Sequence, residues 1–75
     1  MELKDVTKGM KVRAAKKIFD MMPNSPAVEK DTLGTVEGVY GGASLYPIHL
    51  PPIAVRFDGR ERQMMCSTSE LMSVN

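Results

Sequence analysis

Cys66 and His49 carry the most versatile side chains of this 75-residue sequence, because a thiol and an imidazole act as nucleophiles, bases and metal ligands. There is one of each, so a disulfide within the chain is excluded and the two cannot assemble a structural zinc site. Their spacing indicates no Ser-His-Asp or Cys-His arrangement. We therefore expect Cys66 to pack as a small apolar residue and His49 to lie in a loop, and we predict no catalytic residue, cofactor or metal.

A second feature with chemical meaning is a run of positive charge. Between Val6 and Phe19 there is no acidic residue, and the basic ones are Lys8, Lys11, Arg13, Lys16 and Lys17. Clustered Lys and Arg neutralise phosphates, so the last four of these residues form a candidate nucleic-acid surface. No interleaved aromatic residues offer a stacking platform, and solvated strand faces are usually charged. Nucleic-acid binding is therefore an alternative function and not the main prediction.

The length of the chain predicts a single domain over residues 1–75, with a formal net charge of +1. A domain of this size buries only about 60% of the surface that its unfolded chain exposes, so a partner chain would add useful stability. There is no run of about 18 apolar residues that would span a bilayer, and the first ten residues lack the apolar run of a signal peptide. We expect a cytoplasmic protein without membrane contact.

Short alternating segments bounded by turn residues predict an all-β fold. Residues 9–15 (GMKVRAA), 33–40 (LGTVEGVY) and 53–57 (IAVRF) read as three strands, with a bulge or sharp bend at Gly38. Ala54 and Arg56 would face outward in the third. Asp58-Gly59 predicts a type I′ hairpin turn to a fourth strand. A 3₁₀ turn in STSEL and a last strand in MSV would follow, while residues 16–32 and 41–52 form two long loops, the first with one helical turn near residues 18–22.

The fourth strand carries two adjacent methionines, and its register decides which one is buried. An even-numbered connection puts Met64 and Cys66 on the core face beside Val55, with Met65 facing outward. An odd-numbered connection would bury Glu61 and Gln63 without evident partners. We therefore predict the even register.

The order of these motifs, GMKVR, LGTVEGV, PPIAVRF and then SEL, resembles the SH3-like barrels. The likeness is to the accessory barrels of the photosystem I small stromal subunit and the nitrile hydratase β-subunit. It covers most of the chain and implies a five-stranded SH3-like barrel with two long loops and one 3₁₀ turn before the last strand. Gly34 would provide a tight turn into its strand. The implied core consists of Val12, Val36, Val55, Phe57 and Leu71.

Apolar residues outside this core predict a protein-binding surface. Seven of the 75 residues are methionine, and the first loop, which should be polar, contains several large apolar side chains. We predict a non-catalytic interaction module that self-associates or docks on a larger protein. The candidate partner-binding residues are Ile18, Phe19, Met21, Met22 and Met65. Alternatively, the loop folds over an open end of the barrel and plugs it.

Three other functions known among SH3-like barrels fit this sequence less well. Few aromatic residues are available for the groove that grips polyproline or for a methyl-lysine cage. An oligomeric enzyme with a site on its symmetry axis, as in the plasmid-type dihydrofolate reductases, is a further alternative. That family carries a V-Q-I-Y stretch before a closing leucine, but here QMMC puts Gln63 one residue out of step and Cys66 where the tyrosine would be.

Overall fold

A computed structural model describes residues 2–20, 22, 24–40 and 51–74 of the chain. All the strands of this part belong to one antiparallel sheet that curls into a half-barrel, with the order β4-β3-β2-β1-β5. Short 3₁₀ turns occupy Leu3–Asp5 and Thr68–Glu70. The strands are β1 (Lys11–Ala14), β2 (Leu33–Val39), β3 (Ile53–Phe57), β4 (Met64–Cys66) and β5 (Leu71–Ser73). The all-β prediction is confirmed, and within the described residues no helix has the length and apolar character needed to cross a bilayer.

The core lies on the inner face of this sheet, because alternate residues of each strand point to the same side. All five core residues predicted from the sequence are buried there. Gly34 is buried too, and a β-carbon at this position would lie 2.9 Å from Val55 Cγ1 and 3.0 Å from Phe57 Cδ1. Gly34 therefore lets β2 approach the side chains of β3 closely. The remaining members of the core are Val6, Ala14, Ile18, Val28, Ile53, Met64 and Cys66.

The bulge predicted at Gly38 is present in β2. Val36 lies opposite Val55 and Gly38 opposite Ala54, so Glu37 is the extra residue of the ladder. Its carboxylate lies 3.1 Å from Arg56 Nε on the neighbouring strand. Because the bulge shifts the register by one residue, Gly38 faces outward and Val39 packs against the core.

The register predicted for the two methionines is confirmed. Met64 lies opposite Val55 and is buried, whereas Met65 lies opposite Ala54 and is exposed. The predicted type I′ turn is wrong, since Gly59 has φ +85° but Asp58 is not among the residues with positive φ. The chain turns through a hydrogen bond from Arg60 N to Phe57 O, and a connection over residues 58–63 leads to β4. A positive φ at only the third turn residue is what a type II turn requires.

Ala54 and Arg56 face outward from β3 as predicted, but only Arg56 is exposed. Ala54 points away from the core and yet has no exposed surface. Its neighbours across the ladder are Gly38 and Met65. The ring of Tyr40 lies over Gly38, where an added β-carbon would be 3.0 Å from the Tyr40 oxygen. A small covered patch therefore exists on the outer side of the sheet.

The first predicted loop contains an ordered backbone contact in place of a helical turn. Among its described residues none is helical; instead Ile18 and Val28 form an antiparallel bridge with N–H···O distances of 2.9 and 2.8 Å. Both side chains are buried in the core. The segment between them, residues 18–20, 22 and 24–28, is called the arm below.

Candidate docking surface

The arm is closed on itself by one carboxylate. Asp20 Oδ1 accepts a hydrogen bond from Met22 N at 3.1 Å, and Asp20 Oδ2 accepts one from Ser25 Oγ at 2.7 Å. Aspartate favours such local contacts because its short side chain reaches backbone groups two residues further on. Asn24, between these partners, has φ +64°, a conformation that asparagine tolerates better than most residues. Sequence and geometry therefore agree on a tight reversal at this place.

Arg60 fastens the arm to the connection that follows β3. Its Nη1 lies 3.6 Å from Asp20 Oδ2 and donates to Ser25 Oγ at 3.3 Å. Its Nη2 donates to the carbonyl oxygen of Pro26. The side chains of Arg60 and Asp20 are only 18% and 20% exposed, so this contact is partly shielded from water. Hydrogen bonds to ionised groups in such surroundings are stronger than those between neutral groups.

Phe19 lies between these two attachments. Its neighbour Ile18 is fixed in the core and its other neighbour, Asp20, is held by Arg60, yet the phenylalanine itself is 74% exposed. Lys17 Nζ lies 5.6 Å from the centre of the ring and 3.8 Å from Glu29 Oε1. Met22, further along the arm, is also exposed. An aromatic side chain is thus displayed to solvent by backbone that is held on both sides.

A groove of about 630 Å³ lies between the arm and the β3–β4 connection, and its lining includes Asp20, the residue that follows Phe19. Its apolar lining comes from the arm. The charged lining is mainly acidic, and Glu29 joins the groove to Lys17. The apolar residues are Met22, Pro26, Ala27 and Val28, and the charged ones are Asp20, Glu29, Asp58, Arg60, Glu61 and Arg62.

The predicted partner-binding residues fall into different surroundings. Ile18 belongs to the core, so its side chain is not available to a partner, while Phe19 and Met22 share the exposed arm. Met65 is exposed on the outward face of β4 beside Ala54, near the start of β3, whereas the arm is attached beyond the end of β3. The predicted surface is therefore divided into two. Met21 lies outside the described residues.

Three of the four basic residues of the candidate nucleic-acid surface contact a hydroxyl or a carboxylate of the same chain. Lys11 Nζ donates to Thr35 Oγ1 at 2.8 Å, and Arg13 Nη1 lies 3.9 Å from Asp31 Oδ1. Lys17 faces Glu29, as described above. Lys16 is exposed and forms no ion pair with any described residue. Acidic side chains therefore interrupt the positive field of this face.

The cysteine is in surroundings that suppress its reactivity. Cys66 is fully buried, and burial, followed by the negative charge of Glu70, raises the pKa of its thiol to about 12. A thiol with such a pKa is protonated at neutral pH, and the protonated form is a poor nucleophile. In the part of the chain that is described, no three His, Cys, Asp or Glu side chains group as a metal site requires, and His49 lies outside that part.

Arg60 is a residue of the candidate site that the sequence analysis did not identify. Its hydrogen-bond partner Ser25 is 35 positions away, and neither residue belongs to a local motif. Only a signal of pairing between distant positions would have indicated this contact.

No protein-family description, no curated protein and no solved structure matches this chain, so the surface is interpreted from its own geometry.

Proposed function

We propose that this chain is a non-catalytic interaction module with an SH3-like fold, which docks on another protein chain through Phe19. One observation carries the proposal: an aromatic side chain is 74% exposed although the residues on both sides of it are fixed. Large aromatic side chains are enriched among the residues that dominate binding energy at protein interfaces. Phe19 would be the anchor of the interface and Met22 would extend it.

The way in which Phe19 is held supports this role. Binding costs free energy when a loop must first be ordered, and the bridge at Ile18 and the contacts of Arg60 have already ordered the arm. Burying one phenylalanine side chain contributes roughly 1.5–3 kcal/mol. Because little of this gain would be spent on ordering the arm, a modest surface would be enough for association.

The sheet supports the fold assigned in the proposal. β5 lies beside β1, and the bulge in β2 bends that strand, which favours the curvature of a small barrel. The curled sheet leaves its inner face to a single small core. The acidic partners of Arg13 and Lys17 make nucleic-acid binding the weaker alternative, since they reduce the charge available for phosphates.

Site-specific photo-crosslinking, carried out in cells that express the protein, tests the proposal. Phe19 is replaced by a photoreactive benzoyl-phenylalanine, which keeps an aromatic ring at this position. The matched control carries the same residue in place of Lys4, whose side chain is 78% exposed. We expect crosslinked protein species from position 19 and none of the same mass from position 4. No product from position 19, or the same products from both, would overturn the proposal.

A further inference from the structure

Two neighbouring surfaces of the chain carry opposite charge. The first consists of the exposed residues Lys16, Lys17 and Phe19, where Lys17 Nζ lies 5.6 Å from the centre of the Phe19 ring, and it is called the protrusion below. The second is the groove beside it, where four carboxylates stand against two guanidinium groups. Lys17 already lies 3.8 Å from Glu29 of the groove, whereas Lys16 forms no ion pair with any described residue.

The carboxylates at the outer side of the groove are free to meet a partner. Asp58 and Glu61 are exposed and form no ion pair with any described residue, whereas Asp20 is engaged by Arg60. The apolar lining of the groove, which includes Met22, Pro26 and Ala27, is suited to an aromatic ring. Pockets that bind ligands have the same make-up, with apolar walls and a few charged groups, and volumes of roughly 300–1,000 Å³.

We propose that two copies of this chain dock reciprocally, each placing Phe19 in the groove of the other. Lys16 and Lys17 of each copy then face Asp58 and Glu61 of its partner. The protrusion and the groove adjoin each other, because Phe19 precedes Asp20 and Lys17 lies 3.8 Å from Glu29 at the groove. A two-fold axis between them lets both contacts form at once, so the assembly closes as a dimer.

This inference rests on the proposed function and names its partner as a second copy. A chain of this length has a small core, and a reciprocal contact would cover the most exposed aromatic side chain of its described part. The charges would favour this partner over chains that lack an acidic groove. The exposed surface and the electrostatic pattern therefore indicate the same arrangement.

Exchange of charges between the two surfaces tests the pairing. One variant carries Lys16→Glu and Lys17→Glu, and the other carries Asp58→Lys and Glu61→Lys. Molar mass is measured by light scattering during size exclusion over a concentration series, with circular dichroism to verify folding. We expect a dimer for the wild type and a dissociation constant raised roughly tenfold or more for each variant alone, because like charges then face each other. Mixing the two variants is expected to restore a dimer, since opposite charges then meet at both contacts.

Single substitutions keep the test decisive if a double variant does not fold. Lys16→Glu and Glu61→Lys alter exposed side chains without ion pairs to described residues, and each alone is expected to weaken the dimer. Phe19→Ser is expected to abolish the dimer and Met65→Ser, the matched control, to retain it. A wild-type monomer at every concentration, or a mixture of folded variants that stays monomeric, would overturn reciprocal docking.

The two proposals fail in different ways. If position 19 crosslinks only to proteins of other masses and the purified chain is monomeric, the interaction module stands and self-docking is wrong. If position 19 gives no crosslinked product, the proposed function itself is wrong. A product of twice the mass of the chain supports both.

Discussion

The Met64-Met65 pair of β4 and the Ile18-Phe19 pair of the arm look alike in sequence, since each sets two large apolar residues side by side. In both pairs the first residue is buried in the core and the second faces out. Their outer members differ, because Met65 is 37% exposed and Phe19 is 74% exposed.

The difference comes from what surrounds each backbone. Met65 belongs to a ladder in which Ala54 lies directly opposite, and the ring of Tyr40 covers Gly38 on the next strand. Among the described residues, the arm forms strand pairing only at the bridge of Ile18 and Val28. A sheet therefore partly covers its outward residues, whereas an arm that lies outside the ladder displays them. This is why we assign the anchor role to Phe19.

The largest effect is expected when a lysine replaces the buried methionine of β4 and not the exposed one. Met64→Lys places a charge in the core and should cost about 3–5 kcal/mol, enough to unfold a domain of this size. Met65→Lys should change the free energy of unfolding by less than about 1 kcal/mol. Urea unfolding followed by circular dichroism measures both. A comparable loss from the two substitutions would show that the register of β4 is wrong.

A polar substitution at the buried member of the arm pair should have a smaller effect on the free energy of unfolding. Ile18→Ser removes a buried side chain and introduces a hydroxyl, so we expect a loss of roughly 3 kcal/mol. Phe19→Ser should leave the free energy of unfolding within about 0.5 kcal/mol of the wild type. Thermal unfolding at a concentration where the chain is monomeric separates these outcomes. Equal destabilisation would mean that Phe19 packs within its own chain.

The pH dependence of the free energy of unfolding tests whether Cys66 is buried on the inner face of β4. Its pKa is about 12 in the folded chain against 9.0 for an exposed thiol, so the folded state holds the proton more tightly. The contribution of this thiol to the free energy of unfolding has its full value below pH 9. It decreases by about 1.4 kcal/mol per pH unit as the pH rises from 9 towards 12. Urea titrations of wild type and Cys66→Ala between pH 8 and about 11 measure the slope. An equal slope in both would contradict the buried position.

The contact that holds the arm is expected to give the smallest effect. Arg60→Met keeps much of the side chain and removes the ion pair with Asp20 and the hydrogen bonds to Ser25 and Pro26, at a cost of about 1 kcal/mol. The amides of Ile18 and Val28 should then exchange with deuterium faster. Arg62→Met is the matched control, because this exposed arginine forms no ion pair with the described residues. Unchanged exchange in Arg60→Met would show that the bridge alone orders the arm.

Features with a local signature were predictable from the sequence. Alternation of apolar residues identified the inner faces of β1 and β3, and Gly38 indicated the bulge. The parity of the β3–β4 connection was enough to decide between Met64 and Met65. These successes share a cause, since a period of two residues assigns every side chain of a strand once one is known.

Features that depend on distant pairing were not predictable. The bridge of Ile18 and Val28 is too short to create an alternating pattern, and the proline content of the segment indicated a loop. The contact of Arg60 with the arm joins two irregular segments that carry no periodic signal. Ala54 was predicted to face outward, and the alternation of the strand carried no signal that it would be buried there. In each case the tertiary arrangement decided what local sequence could not.

The two outermost strands, β4 and β5, are each only three residues long. A foreign strand laid against either of them would gain few backbone hydrogen bonds, so the sheet offers little template for open-ended growth. Short edges of this kind protect a small β protein from aggregation even when several of its apolar side chains are exposed. Side-chain contacts such as those of Phe19 can then be used for association without the risk that the sheet polymerises.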